Sequence, residues 1–531
     1  MIAVETEDRI LVIDAGISFP TEEMLGVDLV LPDFTYLRER AERCEAVVLT
    51  HGHEDHVGAL SWLLRDIDVP VYGTPLTLGL ARKRLDEGGV DARLEAIAAP
   101  GTKTIGPFDL EFLTVSHSIP DAIAIAVGTK QGTVLYTGDF KLDQTPIDGR
   151  HTDLDAFRAL GDRGVDLMLS DSTNAEDEGR TPSEALIGPR LKELFSEAQR
   201  RIVVACFASN LHRIQQVCDA AADAGRQVAF AGRSMVANVD VARELGILSV
   251  SDGAFFPIEQ VNEHPPEQTV VVCTGSQGEP LSALSLIASG EHKVVTVDRG
   301  DTVILSASPI PGNESAVHRV VNSLYKAGAI VYQGEGDGVH VSGHAASEEL
   351  AELVRTVRPR HFCPVHGEYR HLAKHARLAA ENGVERDRIL MAEDGDVLEL
   401  REGKVSRGDR VPAGMVLVDG LGVGDVGPVV LRDRRVLAGD GIVICVVTID
   451  SQTGEVLSGP DLISRGFVHE QESREFLEEA ADLVADALEE LEQDHVTDWS
   501  LIKKKCRRTL GEFVWQQTRR RPMILPVIME V

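Results

Sequence analysis

The segment His51-Gly52-His53-Glu54-Asp55-His56 constrains this chain more than any other. Three imidazoles crowd into it directly after the apolar run Ala46-Val47-Val48-Leu49-Thr50. Such a run reads as a buried strand, so the cluster sits on the loop leaving the strand's end, where open α/β sheets gather their ligands. Unpaired imidazole and carboxylate groups are costly to bury, and no hydrophobic core calls for such a loop. A divalent metal supplies the missing partner, because neutral imidazole and ionised carboxylate are good zinc ligands. A solvated polar loop is the bland alternative, and the density of ligands argues against it.

Further candidate ligands recur at the ends of apolar segments. Asp14 follows Arg9-Ile10-Leu11-Val12-Ile13, and His117 lies in Val115-Ser116-His117-Ser118-Ile119-Pro120. Asp139 lies in Leu135-Tyr136-Thr137-Gly138-Asp139-Phe140, and His366 in Cys363-Pro364-Val365-His366-Gly367-Glu368. Alone, His117 or His366 reads as an ordinary hydrogen-bonded histidine; the shared context makes each a candidate ligand. With the H-x-H-x-D-H spacing, these segments resemble the metallo-β-lactamase superfamily in their order. The resemblance implies an α/β fold, an αββα sandwich carrying two metal ions.

At 531 residues the chain is expected to form more than one domain. No stretch approaches the length of a membrane span, and the N-terminus shows no basic-then-apolar secretory pattern, so a cytoplasmic protein without a membrane partner is expected. Cys44, Cys206, Cys218, Cys273, Cys363, Cys445 and Cys506 are scattered and never in C-x-x-C, which reads as reduced, mostly buried thiols. The net charge of −32 argues against a polyanionic substrate without deciding the matter, since a basic channel can sit inside an acidic shell.

The separation of Asp139 from His366 is far longer than a minimal metallo-β-lactamase fold needs, so a whole domain is expected between them. The insert alternates strand and helix: strands at Arg201–Phe207, Gln227–Ala231, Thr269–Cys273 and Thr302–Ser306, with a helix from about Leu211 to Ala224. This pattern predicts a parallel sheet with helices on its faces. Leu169-Ser170-Asp171-Ser172-Thr173, His340-Val341-Ser342-Gly343-His344-Ala345 and His366 resemble the motifs of the β-CASP nucleases. In that branch a histidine at the last position goes with RNA-processing members, so the resemblance implies RNA.

Within the branch, four segments resemble the bacterial ribonuclease J family: Phe207-Ala208-Ser209-Asn210-Leu211-His212-Arg213, Gly232-Arg233-Ser234-Met235, Thr274-Gly275-Ser276-Gln277-Gly278-Glu279-Pro280, and Ser306-Ala307-Ser308-Pro309-Ile310-Pro311-Gly312-Asn313-Glu314. The resemblance runs from about residue 9 to the end. The organisation expected is a metallo-β-lactamase domain over 1–185 and 346–425, the latter with a linker, a β-CASP domain over 186–345, and a small C-terminal α/β domain over 426–531. Family members usually begin with one more strand and a glycine-rich turn. Met1 lies almost at the second strand, so an exposed sheet edge is expected there.

The resemblance carries site residues with it. It implies that His51, His53 and His117 hold one Zn²⁺, that Asp55, His56 and His366 hold the other, and that Asp139 bridges them; Asp55 and Asp139 are thereby catalytic. Asp14 is expected to orient a ligand rather than bind metal. His344 has two readings: general acid or phosphate contact, or a structural histidine paired with a carboxylate such as Asp171. Water attacks phosphorus in this chemistry, so the products are a 5′-phosphate and a 3′-hydroxyl. The family degrades RNA from a 5′-monophosphate end and also cuts internally, in RNA maturation and decay. This implies a terminal-phosphate pocket, for which Ser209, Asn210, His340, Val341, Ser342, Gly343 and His344 are the candidates, near a helix N-terminus. Arg233 either contacts the RNA backbone or caps its own loop.

After the metal domain the sequence changes character. Gly420–Gly427 is glycine-rich and reads as a linker, followed by a strand at Gly441–Val447, an amphipathic helix over Glu470–Gln493, a helix carrying Lys503, Lys504, Lys505, Arg507 and Arg508, and a strand after Arg519. The basic run reads either as an RNA contact or as a solvated helix face. The resemblance implies a homodimer or homotetramer through this domain, association with RNA-degradation machinery, and a structural Ca²⁺ near Asp28 and Asp419. The rival readings are a β-CASP endonuclease of the mRNA 3′-end type without 5′-phosphate preference, and a non-catalytic RNA-binding scaffold. The latter would be expected to have lost ligands that are all present here.

Overall fold

Cys44–Val48 is the middle strand of a five-stranded sheet ordered Ile2–Glu5, Ile10–Ile13, Cys44–Val48, Val71–Gly73, Leu94–Ala96. Its interior strands pair in parallel and are apolar apart from Glu45, which pairs with Arg9, as strands covered on both faces require. Ile2–Glu5 pairs antiparallel with Ile10–Ile13, so the chain begins at a sheet edge. A six-stranded sheet runs Gly101–Ile105, Phe108–Thr114, Ile123–Thr129, Gly132–Tyr136, Leu167–Asp171, His361–Val365. Leu11, Ile13, Ala46 and Val48 of the first sheet share one core with Phe108, Phe112, Ile125 and Val127 of the second. The other face of the second sheet takes the helices Leu154–Arg163, Ser347–Val357 and Tyr369–Glu381 through Phe157, Leu353, Val357 and Ala379. His361–Val365 joins this sheet parallel to Leu167–Asp171 after the whole insert, which brings His366 to the same sheet end as Asp139.

The structure is a computed structural model that describes residues 1–250, 253–279, 281–310, 312–453, 455–468, 474–493 and 498–531. The chain divides into two compact units, residues 1–19 with 30–416, and residues 20–29 with 417–531. Pro280, which ends one of the motifs quoted above, and Pro311, within another, lie outside the described residues.

The insert is a five-stranded parallel sheet ordered Gln227–Ala231, Thr269–Cys273, Ile202–Ala205, Thr302–Leu305, Ile330–Gln333. Separate cores line its two faces, one including Val204, Val217 and Val272, the other Val203, Val271 and Leu324. The strands expected at Arg201–Phe207 and Thr302–Ser306 are shorter in the structure, ending at Ala205 and Leu305. Just past the strand end, the Ser306 N–H still donates to the Ala205 carbonyl at 2.8 Å, and its hydroxyl donates to the Val339 carbonyl at 2.6 Å. The strand Ile330–Gln333 escaped the pattern reading, since as an edge strand it is only half-buried and lacks a continuous apolar run.

In the second unit, Ile442–Ile449 lies between Val456–Arg465 and Met523–Glu530. Val443, Cys445 and Val447 pack under the helices Arg474–Gln493 and Trp499–Thr518. Of the helix expected from Glu470, the stretch Glu470–Ser473 lies outside the described residues. The glycine-rich segment read as a linker contains a short strand, Gly422–Val423, paired with Val418–Asp419. A helix over Pro428–Asp440 then follows, with proline in its first turn. Its buried set is empty, so no apolar stripe betrays it in the sequence. Asp28 accepts the Gly420 N–H at 2.8 Å and Asp419 pairs with Arg434.

Candidate metal centre

The loop after Cys44–Val48 is held by the segment after Ile10–Ile13. Ala15 N–H donates to the His56 carbonyl at 2.7 Å, and Ile17 N–H to that of Glu54 at 3.1 Å. A Cβ on Gly16 would stand 1.5 Å from the Asp55 carbonyl oxygen, so only glycine allows this approach. Asp14 occupies a left-handed backbone position, φ 59°, and its carboxylate accepts from Thr50 N–H at 2.8 Å. The same carboxylate lies 2.7 Å from His56 Nδ1, which fixes the ring and leaves Nε2 pointing into the site.

Two groups of ligating atoms result, each within 4.8 Å of one another: His51, His53, His117 and Asp139, and Asp55, His56, Asp139 and His366. Asp139, at the end of Gly132–Tyr136, belongs to both. One of its oxygens lies 3.3 Å from His56 Nε2, 3.7 Å from His51 Nε2 and 3.8 Å from His117 Nε2. Its other oxygen lies 3.6 Å from His366 Nε2. His366 stands at φ 56°, with Nδ1 2.8 Å from Thr173 Oγ1 and Nε2 3.4 Å from Asp55 Oδ2. A third cluster, Asp139, Asp171, His344 and His366, overlaps the second. These are the clusters among the described residues, and none contains Asp28 or Asp419.

The residues fit a pair of divalent cations. His53 Nδ1 faces His51 Nε2 at 3.1 Å and His117 Nε2 at 3.2 Å, nitrogens that have no reason to converge without a shared electrophile. His56 Nε2 and Asp139 Oδ1 are buried without any hydrogen-bond partner. Burial holds His51 and His117 well below the ordinary imidazole range and brings His53 down to about 4, so all three present lone pairs. In the second group burial also disfavours the imidazolium, but Asp139, Asp14 and Asp55 outweigh it and raise His56 to about 10. His366 is raised against its burial too, chiefly by Asp139. A site this rich in carboxylate calls for positive charge, and metal supplies it without protonating the ligands.

His344 is half-buried above the cluster, with Nδ1 2.8 Å from Asp171 Oδ2 and its ring stacked on His366 at 5.7 Å. Burial opposes its imidazolium, but Asp171 outweighs that and raises it. The pairing with Asp171 is present as the structural reading expected, and the ring also lines the cavity, as the acid or phosphate reading requires.

That cavity, about 3180 Å³, is lined by His53, Asp55, His344 and His366 and also by Ser209, Asn210, His340, Val341, Ser342 and Gly343. Asn210 caps its helix, its side-chain oxygen accepting the Arg213 N–H at 3.0 Å. Ser342 Oγ accepts from Asn174 Nδ2 at 2.8 Å. Arg233 opens the helix Arg233–Glu244 and is not among the cavity-lining residues. The sequence reading missed the supports: Thr50 between Asp14 and His51, Thr173 on His366, and Lys141, whose buried ammonium donates to the Ser342 carbonyl at 3.2 Å. A lysine inside the apolar stretch Phe140-Lys141-Leu142 was the available signal.

Family models match along the chain: the metallo-beta-lactamase superfamily at residues 1–170, the ribonuclease J beta-CASP domain at 199–324, the Zn-dependent metallo-hydrolase RNA specificity domain at 337–388, and the ribonuclease J C-terminal domain at 429–531. Ribonuclease J2 of Bacillus subtilis is 42% identical over 99% of this chain and 95% of its own length. Ribonuclease J of Mycobacterium tuberculosis H37Rv is 46% identical over 100% of this chain and 95% of its own.

The chain belongs to the ribonuclease J family.

Ribonuclease J of Mycolicibacterium smegmatis is similar at 45% identity, again over 100% of this chain and 95% of that protein. The crystal structure of a protein of unknown function from Enterococcus faecalis V583 superposes with a TM-score of 0.51 at 16% identity, over 76% of this chain and 95% of that one, a likeness of fold alone. As a ribonuclease J family member with this His/Asp cluster, the chain is a metal-dependent hydrolase acting on RNA. No helix among the described residues is long and apolar enough to cross a membrane. The seven cysteines are buried, and none is joined in a disulfide.

Proposed function

We propose that the chain is a zinc-dependent 5′-to-3′ exoribonuclease on 5′-monophosphorylated RNA that also cuts internally, acting in RNA maturation and decay in the cytoplasm. The observation that carries this reading is a single cavity bordered by the His/Asp cluster and by Ser209, Asn210, His340 and Ser342. His51, His53, His117 and Asp139 would hold one ion, and Asp55, His56, His366 and Asp139 the other. When bound, the two ions acidify water and stabilise charge on the phosphoryl oxygens. Asp14 keeps His56 oriented, and the Gly343 carbonyl does the same for His117, whose Nδ1 lies 2.7 Å away. His344, oriented by Asp171, is the proton donor to the departing 3′-oxygen.

Residues 1–185 and 346–425 form the metal domain in this reading, 186–345 the β-CASP insert and 426–531 the C-terminal domain. The last offers an open apolar sheet face, with Ile463, Leu525, Val527 and Met529 all at least 36% exposed. A homodimer or homotetramer closing over that face accounts for the exposure. Lys505 pairs with Glu490 at 2.5 Å, which supports the basic run as a solvated helix face. One assay tests the function: RNA bearing a 5′-monophosphate, triphosphate or hydroxyl, incubated with the protein and analysed for mononucleotides. Equal release from all three ends would overturn it.

A further inference from the structure

Arg213 is fully buried, a position a guanidinium tolerates only when its donors are engaged. Its Nε and Nη2 meet the two oxygens of Glu184 at 2.8 and 3.0 Å. Its Nη1 donates to the carbonyls of Ser306 at 3.2 Å and Val339 at 3.0 Å, and also to Ser306 Oγ. Ser306 Oγ in turn donates to the Val339 carbonyl at 2.6 Å, and Gln216 Nε2 to Glu184 at 2.8 Å. The junction therefore ties together the turn entering the insert, the helix Leu211–Asp223, the end of Thr302–Leu305 and the returning chain at Val339.

Two cavity-lining residues hang directly from this junction. Asn210 caps the helix by binding the Arg213 N–H, and His340 follows Val339. The His340 Nδ1 is buried with no hydrogen-bond partner. A buried ion pair is a poor source of stability, since well-packed apolar side chains serve as well. The Arg213–Glu184 pair is also neutral overall, so it adds little attraction for a phosphate. What a bidentate guanidinium with two further acceptors supplies is fixed geometry.

We propose that Arg213 is a positioning residue for the terminal-phosphate pocket: clamped by Glu184, it grips Ser306 and Val339 and thereby sets Asn210 and His340 against the cavity. This rests on the 5′-monophosphate reading given above. The test compares the unmutated protein with Ser306→Ala, Arg213→Lys, and the paired replacement Arg213→Met with Glu184→Leu, which leaves no unpaired buried charge. KM for mononucleotide release from 5′-monophosphate RNA should rise about tenfold or more, the scale of a small misplacement of binding groups. Cutting of a circular RNA, which has no 5′ end, should keep its kcat within about twofold. Arg213→Lys should not rescue, because a point charge cannot span the fork. The slope of log KM against log salt should stay the same, since no phosphate-contacting charge is lost. Variants that melt as folded proteins yet keep the full 5′ preference would remove this role for Arg213 and leave the proposed function standing. A lack of preference in the unmutated protein would remove both.

Discussion

His117 Nδ1 lies 2.7 Å from the carbonyl oxygen of Gly343, so a ring in the metal cluster and the loop lining the other side of the cavity share one hydrogen bond. The N–H donates and the carbonyl accepts, which fixes the tautomer and leaves His117 Nε2 free to face Asp139. The contact spans the sequence from the first sheet pair to the end of the insert, and it makes the position of the loop a condition of the ring's orientation.

Gly343→Ala tests that coupling. The added Cβ would stand 2.9 Å from both His117 Cε1 and Ser118 Cβ, tighter than atoms in contact accept. Overpacking of this kind costs about 1–3 kcal/mol. The variant should fold, bind less metal by elemental analysis and cleave at least about tenfold more slowly. Full metal content with full activity would show that the loop moves aside without turning His117.

Asp55→Ala removes a carboxylate that is 41% exposed, so it takes away a ligating group without emptying the core. Cleavage should be abolished while the melting transition stays close to that of the unmutated protein. Chelation of the unmutated protein should likewise stop cleavage, with recovery on adding Zn²⁺ or Mn²⁺. Undiminished cleavage by Asp55→Ala would contradict its place in the site.

His344→Ala should lower the cleavage rate about a hundredfold or more, the usual scale for losing acid catalysis, with RNA affinity little changed. Asp171→Asn, which keeps the shape but not the charge beside His344 Nδ1, should shift the basic limb of the pH–rate profile to lower pH, because the Asp171 carboxylate is what raises His344. A His344→Ala variant that lost RNA binding alone would make the residue a phosphate contact.

The 5′ preference should not depend on an imidazolium. Burial, reinforced by Arg213, lowers His340 to about 3, so its ring is neutral at physiological pH. The ratio of rates on monophosphate and triphosphate ends should therefore stay flat from about pH 7 to about pH 9, above the second ionisation of the terminal phosphate. Ser209→Ala combined with Ser342→Ala should erase that ratio and spare internal cutting. A ratio that collapsed across this range in the unmutated protein would mean that a titrating group reads the terminus.

The sequence by itself determined where the chemistry collects. His51, His53, Asp55 and His56 are neighbours in the chain, and Asp14, His117, Asp139 and His366 each leave a buried segment, so hydrophobic runs mark their positions without any knowledge of pairing. Four of the insert's five strands were legible for the same reason: the three interior ones are buried on both faces and the edge strand Gln227–Ala231 is itself largely buried, so each leaves an apolar run. The edge strand Ile330–Gln333 and the exposed helix Pro428–Asp440 bury too little to leave such a trace.

Only the tertiary structure decided how the site is held. Asp14 against His56, His117 against Gly343, Thr173 against His366, and Arg213 between Glu184, Ser306 and Val339 join residues far apart in the chain. Lys141 and Arg213 read locally as a charge in an apolar stretch and a charge on a helix; their partners arrive through the sheets and the insert. A hydrophobic pattern records which way a side chain faces, but a hydrogen bond depends on distance and direction between two backbones that only folding brings together.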